Sequence, residues 1–413
     1  MLTAALLLLG GVLVLLALAE QRVRPWPISP ALIYLLIGWG AATWLGAPGV
    51  EVLVQHAPSG VFVTELAVLV SLFAVGLRLL LPPTFKAWRV ALLLAGPGMV
   101  VTIVLAMLAA HWVLDLPWPA ALLLASVLAP TDPVLASDVQ IESSDDRDAV
   151  RLSLTAEGGL NDGAALPGVM LALGLLGLHA VGQGGATWWW ADFIWPLAGG
   201  ALIGGALGSL IGLALKQLLA HGDPVWRDEL IYAGVVVLSY GLARALNASS
   251  FVVAFAAGTT LLLPLRTALA GSAAEHLTER LHAFGARIER LIEAALVLAV
   301  GAALAGVGMG WHELGFALLL LFVVRPASVI AVVRRTHMPL AQRRLVGWFG
   351  IRGIGSLFYL VFALEHGVSG SLAQTLTSAT LACVALSIVL HGVSATPLMR
   401  AYKRRRSKPP PKK

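Results

Sequence analysis

The chain has 413 residues, 58% of them hydrophobic and only 12% charged, with a formal net charge of +6. Its mean hydropathy of +0.86 exceeds what a soluble core requires, and apolar runs of about 20 residues match a hydrocarbon layer ~30 Å thick. Those runs do not alternate polar and apolar positions, which excludes a transmembrane barrel. The single cysteine, Cys383, excludes an intrachain disulfide and a cysteine metal cluster.

The pattern is that of an all-α polytopic membrane protein with about thirteen transmembrane helices. In chain order the spans run approximately 2–19, 30–46, 60–81, 90–113, 119–138, 151–179, 192–219, 229–246, 250–264, 288–307, 313–333, 342–364 and 371–397. The first carries an A-x-A pattern at Ala17 and Ala19, but no basic stretch precedes it, so it is expected to be a span and not a cleaved leader. One set of loops holds "QRVRP", "LRLLLPPTFKAWR", "DDRDAVR", "KQLLAHGDPVWRDE", the long "RTALAGSAAEHLTERLHAFGARIER", "RRTHMPLAQRR" and the tail "KRRRSKPPPKK". The other set is almost free of Lys and Arg, Arg244 excepted. Such alternation places the N-terminus outside and the C-terminus in the cytoplasm of a cell (inner) membrane, and it accounts for the basic pI of 9.8 without a nucleic acid. Residues 265–290 mix apolar positions with Arg266, Arg280, Arg287 and Arg290, as an amphipathic connector on the cytoplasmic face would. Residues 401–413 form a short basic tail suited to contact with lipid.

Two spans contain groups that interrupt a helix. The fifth reads "LAPTDPVLASD", with Pro130, Thr131, Asp132 and Pro133 at its middle. The twelfth reads "WFGIRGIGSLF", with Gly350, Gly353 and Gly355 around Arg352. Non-helical backbone at this depth must be buried in protein or line a wet cavity. If the seventh span is a linker, spans 1–6 and 8–13 form two six-helix repeats, inverted because each begins on the opposite side. The break is then the fifth helix of each, which is the sequence mark of a transporter site built on discontinuous helices.

The sixth span adds Glu157, Asn161 and Asp162. Glu157 and Asn161 share a helix face, whereas Asp162 is turned by about 100°. Each charge at the bilayer centre costs at least about 2.5–3.5 kcal/mol, so pairing is expected. With Asp132 of the broken helix the interior holds three carboxylates, and one of them is expected to neutralise Arg352, a permanent cation. A carboxylate left over is favoured in its protonated form by dehydration. A small hard cation such as sodium competes with that proton for the same oxygens, and Thr131 with freed carbonyls can complete its shell. A carboxylate that holds either a proton or a cation is the minimal chemistry of an exchanger.

The motifs "PTDPVLASD", "EGGLNDG", "FVVRP" and "GIRGIGS", in this order and in the fifth, sixth, eleventh and twelfth spans, resemble the monovalent cation:proton antiporter-1 family of sodium/proton antiporters. The resemblance covers nearly the whole chain. It implies thirteen helices in two six-helix inverted repeats with crossed discontinuous helices. It further implies a mobile ion-transport core (about 90–179 and parts of 288–397), a dimerisation domain from the remainder of 1–400, homodimers and elevator-like alternating access. Asp162 then matches the essential ion-binding aspartate and Asn161 the first residue of the Asn-Asp pair. Thr131 and Asp132 match the unwound-helix pair, Glu157 the buried glutamate and Arg352 its arginine, with Na+ held at Asp162 and Thr131. An Asn-Asp pair resembles electroneutral members, so one Na+ (or Li+) is expected to exchange for one H+. Gly158 stands where relatives often have serine, which opens K+/H+ exchange as the alternative.

Of the other polar residues, Asp138 caps the cytoplasmic end of the fifth span or draws cations to the funnel. Arg325, before Pro326, is expected to be buried structural charge with Glu289 or Glu293 as partner. Glu65 lines a cavity or pairs with Arg78. The tryptophans of "TWWWADFIWP" form an interfacial belt. Intramembrane proteolysis by Asp132 and Asp162 leaves Arg352 and the matched breaks without a task, and a channel would need a filter loop that the sequence lacks. No GxxxxGK[ST] motif occurs, so no nucleotide is expected to drive it. The expectation is therefore a transporter and not an enzyme, with no cofactor, lipids and a second copy of itself as partners, and Na+ (or Li+ or K+) and H+ as cargo.

Overall fold

The computed structural model describes residues 10–11, 14, 18, 29–46, 49–79, 84–132, 139–141, 146, 148–221, 227–266 and 272–406. Asp138, nearly all of the first expected span and the tail from 407 lie outside the described residues. Among those described, every regular element is helical. The order is α1 (Pro30–Leu45), α2 (Val50–Gln55), α3 (Ala57–Arg78), α4 (85–114), α5 (Trp118–Leu128), α6 (Ala149–Leu175), α7 (188–220) and α8 (Asp228–Ala245). There follow α9 (Ser250–Leu261), α10 (Ser272–Val307), α11 (Trp311–Val333), α12 (Leu340–Trp348), α13 (Ile354–Glu365) and α14 (Gly370–Arg406). Helices α3, α4, α7, α10, α11 and α14 are each long and apolar enough to cross a membrane. The chain is thus a multi-pass helical membrane protein.

Proline sets the local shape of three of these helices. A proline ring clashes with the carbonyl four residues earlier, and a wider π-turn relieves that clash. Pro97 sits inside the π-turn Leu94–Gly98 of α4, and Pro196 inside Trp188–Gly199 of α7. In α11 the π-turn Leu320–Val324 contains Phe322, the residue four before Pro326. It therefore ends at Arg325 and changes the direction in which that side chain leaves the helix. Helix α6 opens on Asp148, whose carboxylate accepts from the amides of Val150 and Arg151 at 3.0 and 3.2 Å, a standard N-cap.

In hydrocarbon the attraction between helices comes from close packing and not from expulsion of water. Gly204, Gly208 and Gly212 recur every four residues along α7, and a β-carbon at each would overlap Val253 O, Ala257 O and Leu261 O of α9. Only glycine lets the two backbones approach this far. Helix α9 meets α3 in the same manner through Gly76 and Gly258. Thus α9 lies wedged between α3 and α7, and Gly159 and Gly163 bring α6 against its Phe255 and Val252.

Most of the stretch expected as a connector, 265–290, is helical. From Ser272 the helix runs unbroken through to Val307 as α10. Its Leu277 and Leu281 are fully buried. Arg280 Nε lies 3.2 Å from Asp228 Oδ1 of α8, and His282 Nε2 lies 3.1 Å from Leu77 O of α3. The apolar face that suggested a lipid surface packs on protein instead.

Candidate functional site

Helix α5 stops at Leu128 because Pro130 and the residues after it cannot continue the ladder, and α12 stops at Trp348 before the glycines. The two stretches outside regular helix, 129–132 and 349–353, meet. Asp132 N donates to Ile351 O at 2.7 Å. The Asp132 carboxylate accepts from Ile354 N at 2.6 Å, so it caps the N-terminus of α13. In return Arg352 Nη1 donates to the carbonyls of Ala129 and Pro130, the latter at 2.7 Å, and caps the C-terminal end of α5. An anion at the positive helix end and a cation at the negative one compensate both dipoles inside the protein. Arg352 has no measurable exposure.

Helix α6 passes alongside this crossing. Asn161 Nδ2 donates to Thr131 Oγ1 at 2.7 Å and approaches Thr131 O at 3.3 Å, tying α6 to the α5 break. Asp162 is 4% exposed. Among the described residues its Oδ1 meets no hydrogen-bond donor, and the same holds for Asn161 Oδ1. The carboxylate lies against Gly355 in the first turn of α13, where a β-carbon would overlap Oδ1. Tyr359, one turn further along α13, donates its hydroxyl to the Asp162 carbonyl. The crossing therefore gathers Thr131, Asp132, Asn161, Asp162 and Arg352 within one buried volume. Gly158 is buried one residue after Glu157 on α6.

The expected Glu157–Arg352 pair is corrected. Glu157 binds Arg325 through both oxygens, at 2.5 Å from Nη1 and 2.8 Å from Nη2. Arg325 Nη2 also donates to Val346 O of α12 at 3.2 Å. Arg352 turns its Nη1 to the α5 carbonyls, whereas Arg325, just after the π-turn, passes Gly350, where a β-carbon would strike its side chain. The partners expected for Arg325 are engaged or placed elsewhere. Glu289 pairs with Arg78, which also donates to Gln140 Oε1 at 2.5 Å. Glu65 accepts from Ser250 Oγ of α9 at 2.7 Å, and so does not pair with Arg78.

Residues 11–401 match the family model described as "Sodium/hydrogen exchanger, transmembrane". The chain belongs to the sodium/hydrogen exchanger family. It is 26% identical over 408 residues to the K(+)/H(+) antiporter NhaP of Alkalimonas amylolytica, covering 96% of this chain and 67% of the relative. It is 22% identical over 392 residues to the Na(+)/H(+) antiporter NhaG of Bacillus atrophaeus, covering 93% and 71%. Its fold matches the sodium proton antiporter MjNhaP1 from Methanocaldococcus jannaschii at pH 8 with a TM-score of 0.71 and 19% identity, over 95% of this chain and 99% of that one. A second structure of MjNhaP1 matches over the full length of both chains at 0.75. The protein is accordingly a cation/proton antiporter of the membrane and not an enzyme.

Proposed function

We propose that this exchanger moves Na+ (or Li+) against H+ with a 1:1 stoichiometry, with Asp162 holding the cation and the proton in turn. The observation that carries the reading is the Asp162 carboxylate: deeply buried, without a donor on Oδ1, and beside a broken helix that offers the oxygens of Thr131. An unpaired buried carboxylate binds a proton or a cation to offset its charge, and each displaces the other. Asp132 and Arg352 hold the crossing rigid and neutral, so that Asp162 is the group whose charge changes. Asn161 braces Thr131, and Glu157 with Arg325 fastens α6 to α11. We further place spans 1–6 and 8–13 as inverted repeats, the core helices over 90–179 and parts of 288–397, and the N-terminus outside with the C-terminus in the cytoplasm of the cell membrane. Homodimers with an elevator-like core movement complete the proposal.

K+/H+ exchange on the same scaffold is favoured by two observations. Gly158 removes a hydroxyl ligand beside Glu157, which suits a larger and less demanding cation, and the Alkalimonas amylolytica relative is a K(+)/H(+) antiporter. Proteoliposomes carrying the protein and an imposed pH gradient decide between them. Dissipation by Na+ and Li+ but not K+, unchanged by a clamped membrane potential, supports the first reading. Dissipation by K+ alone supports the second, and no response to any of the three cations contradicts both.

A further inference from the structure

Five helices converge at one edge of the bundle, on the side proposed above as cytoplasmic. Val90 of α4, Val150 of α6, Val333 of α11, Val346 of α12 and Met399 of α14 pack into one apolar cluster there. Arg89, Arg334, Arg335, Arg344 and Arg400 each stand within two residues of that cluster, and all five are exposed. The scaffold beneath them is tied together. Arg343 folds inward, its Nε donating to Met338 O at 2.6 Å and its Nη2 to Thr336 O at 2.9 Å, which fixes the turn between α11 and α12. Gln342 Nε2 donates to the Tyr402 hydroxyl at 3.0 Å and fastens the end of α14 to α12. We propose that this edge binds the headgroup of an anionic phospholipid, with the acyl chains lying against the exposed apolar faces of α11 and α14.

The charge at the edge is unbalanced. Between Arg325 and Lys413 the one acidic residue is Glu365, at the far end of α13. The acidic side chains described at the start of α6 are engaged: Asp148 caps that helix, and Asp146 lies 3.1 Å from Arg151. Among the described residues none of the five arginines pairs with a carboxylate. The tail beyond Arg406 adds lysines and no acid, so the chain's own end cannot neutralise the edge.

The depth is that of a headgroup. Trp311, 87% exposed, opens α11 as an interfacial tryptophan does. The 23 residues from Trp311 to Val333 span about 34 Å at 1.5 Å per residue, which matches a hydrocarbon layer ~30 Å thick. Arg334 and Arg335 follow immediately. One turn inside them Ile330 is 48% exposed on the Arg334 face of the helix, and Leu340 and Leu398 are exposed at the start of α12 and near the end of α14. Basic side chains above an apolar surface at this depth suit a lipid, whereas a soluble anion has no use for the apolar part. The same helices serve the crossing: α11 carries the Arg325 that binds Glu157, and α12 leads into the break. A headgroup that draws their ends together steadies both.

The test uses the purified full-length protein and does not depend on which cation is exchanged. Native mass spectrometry compares retention of phosphatidylglycerol with that of phosphatidylcholine carrying the same acyl chains. The unmodified protein retains phosphatidylglycerol preferentially, and its melting temperature rises when that lipid is added. Arg334→Gln/Arg335→Gln weakens retention roughly 30-fold, about fivefold for each charge removed, and abolishes the thermal shift. Arg227→Gln removes an exposed arginine at the start of α8, away from this edge, and leaves both readouts unchanged. Inorganic phosphate at about the same charge does not displace the lipid, because it offers nothing to the apolar surface. Equal retention of the two lipids, an Arg227→Gln variant as impaired as the double variant, or displacement by inorganic phosphate overturns the proposal.

Discussion

Replacing Glu157 by glutamine removes one charge from a buried pair while keeping its shape. The structure gives the size of the effect. Two charge-assisted hydrogen bonds, at 2.5 and 2.8 Å, join side chains that are 4% and 3% exposed. Such bonds contribute about 1.5–3 kcal/mol each, and breaking one partner of a buried pair costs about 3–5 kcal/mol. The guanidinium cannot shed its proton, so Glu157→Gln leaves a permanent cation facing neutral oxygens, the amide carbonyl of the new side chain and Val346 O. Arg325→Met leaves a carboxylate that can protonate, and is therefore the milder of the two. The double variant Glu157→Gln/Arg325→Met buries no charge at this place and recovers much of the loss. Thermal unfolding in detergent of the two single variants and the double variant measures the coupling. A double variant more stable than the sum of the singles by at least about 2 kcal/mol is expected, well beyond the ~0.5 kcal/mol scatter of independent sites. The same cycle with Arg352→Met in place of Arg325→Met gives a smaller coupling. Additive singles, or a larger coupling to Arg352, would refute the pair.

Two further substitutions probe close approaches. Gly355→Ala puts a methyl group onto Asp162 Oδ1 and must displace either the carboxylate or the first turn of α13. Transport efficiency measured in proteoliposomes falls by roughly 10–100-fold, the scale of an ångström-sized misplacement, while size-exclusion behaviour is unchanged. Gly208→Val forces α7 off α9 at Ala257 O and Thr260 Oγ1. Its overpacking lowers stability by about 1–3 kcal/mol, read as a lower melting temperature, with the ion affinity of the surviving folded fraction unaltered.

The breaks in the helices were legible because proline and clustered glycine announce themselves locally. The apolar, helical character of the chain was legible for a similar reason, since it depends on neighbours in sequence. What the sequence hid was pairing at long range. Two buried arginines compete for Glu157, and nothing in either motif says which wins. The choice is made by a π-turn that re-aims Arg325 and by two α5 carbonyls that occupy Arg352. Arg78 and Glu289 are likewise 211 residues apart, so the partner of Glu289 could not be read from spacing. In 265–290 the protein contacts of Leu277 and Leu281 could not be read, because a protein-facing leucine and a lipid-facing one look alike in sequence. By contrast Asn161 and Thr131 do meet, because a polar side chain in a membrane helix must find a partner and the α5 break is the nearest exposed backbone.

The central claim is that one carboxylate carries both ions. It is tested most directly by Asp162→Asn in proteoliposomes with an imposed pH gradient and added Na+, Li+ or K+, after the variant is shown to be folded and correctly inserted. The account predicts that none of the cations dissipates the gradient. Exchange at the rate of the unmodified protein would contradict it.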